Sequence, residues 1–307
     1  MLYLILAIAC STSIALIFKV SESRDMDRYT VTTFNYLVAS AVSLFFVLAD
    51  GMRGVTPFTA IEGLSAQFSG VVGSGGTFGP EASAGWAAAV GLPSGVLYFL
   101  GFMYLQKAVR ESGVSLAGSF SKMGVLVPMV LAIFLWKELP TALQWTGIAL
   151  ALVSILLANL DMSRPRRMLS GFQPVLLALF LTVGLSEFSN KVYQKYGILE
   201  MKSLFLFFVF TGALLISGYK LIRQGRRFRG QHVLTGLLVG VPNYFASFFL
   251  ILSLSRLKTA VVFPIYSAAT IMLLSLAGWF LFGERLKVRE RAAVALTIAA
   301  LILVNIR

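Results

Sequence analysis

Residues 118–160 read GSFSKMGVLVPMVLAIFLWKELPTALQWTGIALALVSILLANL, and residues 263–306 read FPIYSAATIMLLSLAGWFLFGERLKVRERAAVALTIAALILVNI. Shifted by 146, Ser121 meets Ser267, Phe134-Leu135 meets Phe280-Leu281, Glu138 meets Glu284 and Asn159 meets Asn305. Each stretch is an apolar run, a short turn carrying a glutamate, and a second apolar run. The correspondence reaches back over residues 101–160 and 247–306. A duplicated helical unit of this kind is a sequence signature of carriers that work between two repeats.

Composition sets the solvent. Hydrophobic residues make up 58% of the 307 and charged residues 13%, where soluble domains carry about a quarter charged. The chain is therefore expected in lipid. With one cysteine, Cys10, an internal disulfide is excluded, and the single histidine, His232, takes the commonest metal ligand out of the apolar runs. No zinc, haem or other cofactor site is readable. The net charge of +13 is spread over short gaps between apolar runs, which suits contact with anionic headgroups and argues against a nucleic-acid partner. The first apolar run starts at Leu2 without a basic segment before it, so the expectation is an uncleaved helix.

A span needs ~20 apolar residues at ~1.5 Å rise to cross ~30 Å of hydrocarbon. Ten stretches qualify: 2–19, 30–49, 83–108, 114–136, 142–160, 174–195, 203–222, 233–255, 259–282 and 288–306. Residues 50–82, with GVVGSGGTFGPEASAG, form the one long connection and read as a flexible loop or an interfacial segment. Leu92-Pro93 matches Val241-Pro242, giving both third helices a proline, and Ile17–Val20 aligns with Ser189–Val192. Two five-helix halves result, 1–160 and 174–307, joined by the basic linker 161–173. Five is odd, so the halves enter from opposite faces and are inverted repeats. The expected fold is thus an all-α membrane protein of ten transmembrane helices in two inverted five-helix repeats, and exchanging the conformations of the halves would give alternating access. Of the 26 Lys and Arg, 18 fall in or beside the odd-numbered connections and 8 elsewhere, which by the positive-inside rule puts both termini outside.

Two charges sit inside apolar spans. Glu187 lies deep in the sixth, where an ionised carboxylate costs ~3 kcal/mol or more unless it is protonated, paired or facing water. It reads equally as a proton-coupling or substrate-amine site and as a structural ion pair with Lys191, one turn on. Lys122 lies within the fourth span beside Ser119 and Ser121, too deep for its stem to reach the interface easily. It could bind a substrate carboxylate or phosphate or pair with Glu187; the fixed structural pair is the commoner role. Asn35, Asn190 and Asn243 are amides in apolar runs, where they line a cavity or hydrogen-bond helices together. Pro128 and Pro264 are hinges or static kinks. Glu138 and Glu284, at turns beside Lys137 and Arg285, read as solvated caps, and Asn159 and Asn305 as helix ends.

KMGVLVPMVLAIFLWKE with QWTGIALALVSILL, and FPIYSAATIMLLSLAGWFLFGERL with the last helix, resemble the ten-helix EamA-like branch of the drug/metabolite transporter superfamily. The resemblance covers nearly the whole chain outside 50–82. The second half also resembles small multidrug resistance proteins, through NYFASFFLILSLSRLKTAVVFPIYSAATIMLLSLAGWFLFGERL, and KVSES after the first helix is similar to their K-x-S-E-G. The resemblance implies an export or exchange carrier with its site between the halves, and cytoplasmic termini, opposite to the charge count. It also implies an aromatic substrate cage at Tyr244, Tyr266 and Phe263, with Phe120 the first-half counterpart of Tyr266; ordinary packing is the rival role for the phenylalanines. The proton- and drug-binding glutamate of the small multidrug proteins falls on Ser11 and Val183 here. Cation–proton antiport therefore does not carry over.

The candidate substrate-binding set is Glu187, Lys122, Tyr266, Tyr244, Asn243, Asn190 and Phe263. The expected function is secondary active transport of a small metabolite or drug-like molecule, as export or exchange, with proton coupling open. The expected location is the plasma membrane (bacterial inner membrane). The expected partners are that substrate and the lipid bilayer, with no oligomer required. A translocator of a lipid or lipid-linked sugar is the alternative, and would need a cavity open sideways to lipid. A membrane enzyme would want a catalytic cluster at one depth, a channel a filter or charged ring, and a scaffold would need neither Glu187 nor Lys122.

Overall fold

Apolar composition and helical hydrogen bonding dictate the architecture, because in hydrocarbon every backbone polar group must find a partner within its own segment. The computed structural model describes residues 1–50, 56–112, 114–159, 174–223, 225, 229–282 and 288–305, and these contain helices and no strand. In order they form α1 (Leu2–Ser23), α2 (Arg28–Ala49), α3 (Pro57–Ser74), α4 (Pro80–Ser112), α5 (Val114–Met123), α6 (Leu126–Trp136) and α7 (Ala142–Asn159). After the linker come α8 (Pro174–Tyr196), a 3-10 turn (Leu199–Met201), α9 (Lys202–Arg223), α10 (Gly230–Leu254), α11 (Thr259–Phe282) and α12 (Val288–Asn305). Seven are long and apolar enough to cross a membrane, and Phe120–Trp136, Ala142–Leu157 and Arg291–Leu303 are shorter apolar helical stretches, the first running across α5 and α6. The linker 161–173 and Glu284 lie outside the described residues.

Two features depart from the sequence reading. The long connection contains a helix: Thr56 caps α3 through a reciprocal pair of hydrogen bonds with Thr59, Pro57 fits the first turn, and Gly75, with φ 72°, ends it. The fourth span, 114–136, is also broken into α5 and α6. Pro128 has no N–H to give the Gly124 carbonyl, which instead accepts a tight bond of 3.0 Å from the Val127 amide. Pro93, Pro242 and Pro264, by contrast, sit inside continuous helices.

The described chain divides into two compact units, Met1–Phe99 with Ser189–Ser255, and Leu100–Phe188 with Arg256–Arg307. Each unit therefore draws on both sequence halves. In the first, α10 packs along α1 and α2, and α9 along α2. Between membrane helices apolar area gives little drive, so close backbone approach at small residues matters more. Gly236 and Gly240 supply it: a methyl group on either would collide with α2 backbone and side chains at Val31–Val38. Gly91 and Gly95 do the same for α4 against α9, at Phe205, Phe208 and Val209–Ala213. In the second unit α12 packs on α7, and α11 on α6 and α7. Ser154 ties α7 to α12 through Thr297 at 2.6 Å and the Ala293 carbonyl at 2.9 Å.

Candidate functional site

In the second unit the α5–α6 break and α8 come together. Gly124 and Gly184 face one another so closely that a Cβ on Gly184 would strike Val127 and the Gly124 carbonyl. Lys122 is two residues before that contact and Glu187 one turn after it. The contact thereby brings the ammonium of Lys122 within electrostatic reach of the Glu187 carboxylate, and Glu187 Oε2 is buried. A broken helix adds two helix ends to such a place: the carbonyl end of α5 favours the cation of Lys122, and the amide end of α6 favours an anion. Chemically, the ammonium suits an anionic group and the carboxylate a cation or a proton. One turn after Gly184 on α8, Phe188 stacks with Trp136 of α6 at 5.5 Å between ring centres.

Tyr266 and Phe263 belong to this unit, on α11. Phe263 is fully buried, and Tyr266 is half-buried and accepts a bond from Thr270 through its carbonyl. Phe120 packs against Ala108, Ala117, Val175, Leu176 and Leu179 as core. Glu138 is a cap of a specific kind: its Oε2 accepts from the Thr259 amide at 2.8 Å, closing the first turn of α11, while Lys258 donates to the Leu139 carbonyl. Asn159 and Asn305 end α7 and α12.

Tyr244, Asn243 and Asn190 lie in the first unit. Tyr244 is fully buried, stacked on Phe46 at 5.4 Å, edge-on to Phe245, and hydrogen-bonded to Ser203 at 3.0 Å. A cation already sits in this aromatic cluster: Lys202 Nζ lies 4.6 Å from the Phe248 ring centre. Asn243 donates to Asn35 Oδ1 at 3.0 Å, one turn beyond the Gly236 and Gly240 contact, so it joins α10 to α2. Asn190 is fully buried and donates to the Tyr98 hydroxyl at 3.1 Å; its Oδ1 has no hydrogen-bond partner among the described residues. The next residue, Lys191, is also buried and donates to Gln194 at 2.9 Å.

The sequence reading passed over Tyr98, whose hydroxyl accepts the bond from Asn190, and Ser203, which holds Tyr244. Neither announces itself, since a tyrosine or serine in an apolar run is ordinary. The glycine pairs spaced by four, GLPSG at 91–95 and GLLVG at 236–240, were legible as close-contact helix faces. Among the described residues no three His, Cys, Asp or Glu side chains gather where they could hold a metal ion.

A family model described as the EamA-like transporter family matches residues 1–160. The chain belongs to this family. It is an integral, multi-pass membrane protein of a transporter family. An uncharacterized protein of Haemophilus influenzae is 21% identical over 306 residues, covering 97% of this chain and 95% of that protein. A solved crystal structure aligns over 99% of this chain and 95% of its own with a TM-score of 0.69 and 15% identity. This EamA-like chain therefore shares a known fold nearly end to end.

Proposed function

We propose that this EamA-like protein is a secondary active transporter that moves a small metabolite or drug-like molecule by alternating access, as export or exchange, across the plasma membrane. In this reading ten spans, α1, α2, α4, α5 with α6, and α7 to α12, form two inverted five-helix repeats, with α3 added to the first. The observation that carries it is the opposed pair Lys122 and Glu187 at a helix break. Opposite charges in an apolar bundle are costly unless they pair or serve a ligand, and discontinuous helices form the substrate sites of many carriers. Glu187 is the proton-coupling or amine-binding group, Lys122 the group for a carboxylate or phosphate, and Tyr266 an aromatic wall.

The test is counterflow in proteoliposomes with a panel of amino acids, nucleotide sugars and aromatic cations, comparing native protein with Glu187→Gln. The expected result is substrate-driven accumulation of label in the native protein that loses its response to a proton gradient in Glu187→Gln. Proton dependence that survives this change intact removes Glu187 from coupling. Unchanged apparent affinity for every transported compound in Tyr266→Ala would remove the aromatic wall.

A further inference from the structure

The first unit holds a cavity of about 600 Å³ between α3, α4 and α9, lined among others by Ala60, Ile61, Leu64, Ala88, Leu92 and Phe208. Its floor is cut by small side chains. Gly85 brings α4 against Ala60 and Leu64 of α3, and Gly63 brings α3 against Glu81 and Ala82, so the two helices touch at one end and leave the space beyond open. Among the described residues no charged side chain lines it. Among the described residues its one hydroxyl lining, Thr56, is engaged in the capping bonds with Thr59.

What fills it follows from that chemistry. At ~30 Å³ each, ~20 waters would fit, yet each would want two to four polar partners that the walls lack. A charged or hydrogen-bonding substrate meets the same deficiency. Hydrocarbon does not. Leu92 and Phe208 lie inside the membrane-spanning stretches Pro80–Glu111 and Leu199–Arg223, so the surrounding solvent at their depth is acyl chain. The rim is continuous with that surface: Phe58, Ile61 and Leu92 are 75%, 70% and 42% exposed.

We propose that the α3–α4–α9 cavity is a binding site for one acyl chain of a bilayer phospholipid, held as a resident lipid beside the transport machinery. The head group stays outside, since no side chain lining the cavity among the described residues could pair with its charge. The site therefore differs from the path a lipid translocator would need, and stands independently of the Lys122 and Glu187 reading.

The test uses the full chain reconstituted in phosphatidylglycerol–phosphatidylethanolamine vesicles doped with a phospholipid carrying a diazirine midway along one acyl chain. After irradiation, adducts are mapped by peptide mass spectrometry. The expected result is several-fold more adduct per residue at Ala60–Leu64 and Ala84–Leu92 than at the lipid-facing controls Phe45 and Leu48. Ala88→Phe, which fills the cavity, should lower the groove adducts several-fold and leave the controls unchanged. Ala89→Ile serves as a milder filling change if Ala88→Phe fails to fold. Groove labelling equal to the controls, or unmoved by both substitutions in folded protein, would mean ordinary annular lipid and overturn the proposal.

Discussion

At the residue scale the account rests on Lys122 and Glu187. Removing one member of a partly buried opposed pair leaves the other charge uncompensated, a loss that rises toward about 3–5 kcal/mol only as burial becomes complete. Lys122→Met and Glu187→Met should each lower the thermal midpoint of the detergent-solubilised protein by more than the double variant does. A double variant as unstable as the sum of the singles would show that the two charges do not speak to each other. Asn190 makes a smaller claim. Asn190→Ala or Tyr98→Phe removes one interhelical hydrogen bond, worth about 0.6–2 kcal/mol in membranes, and should give matching small shifts in thermal midpoint. Both charges were legible in the sequence because a charge in an apolar run is conspicuous on energetic grounds alone. Their pairing could be raised from the sequence only as one option, since it depends on Gly124 meeting Gly184 across 60 residues of chain. Tyr244, expected in a substrate cage, turns out to be fully buried with its hydroxyl engaged by Ser203.

At the element scale, glycine contacts set where helices meet. Gly240→Leu forces bulk into the Asn35 carbonyl and the Val38 side chain of α2, and should abolish a monodisperse peak in fluorescence-detected size-exclusion chromatography. Asn243→Leu, which only deletes the bond to Asn35, should leave that peak in place. The break between α5 and α6 is a second device. Pro128→Ala restores the missing amide, so the two helices can join into one. Unchanged or raised thermal stability with transport reduced several-fold is the expected pairing; full transport would show that the break is incidental. Proline alone could not reveal this break, because Pro93, Pro242 and Pro264 sit within unbroken helices. What distinguishes Pro128 is the glycine four residues before it, Gly124, where Pro93, Pro242 and Pro264 have Ala89, Leu238 and Ala260. Helix α3 was hidden for the opposite reason: its glycines and small residues suggest a loop, and only its cap at Thr56 and its contacts with α4 reveal the helix.

At the scale of the whole molecule, composition and span length made the membrane setting legible, since both depend only on bilayer thickness and the cost of exposed backbone. The sequence repeat divides the chain near residues 160–174, whereas the compact units each mix both halves. Packing partners are set by tertiary contact, which no linear pattern carries. The central claim is alternating access to the Lys122–Glu187 region. The most direct measurement is reactivity of Ser121→Cys, in a Cys10→Ser background, toward a membrane-impermeant maleimide applied from each side of oriented vesicles. The account predicts reaction from both sides, with transported substrate raising reactivity on one face while lowering it on the other. Reactivity from a single face under every condition, or changes in the same direction on both faces, would contradict it.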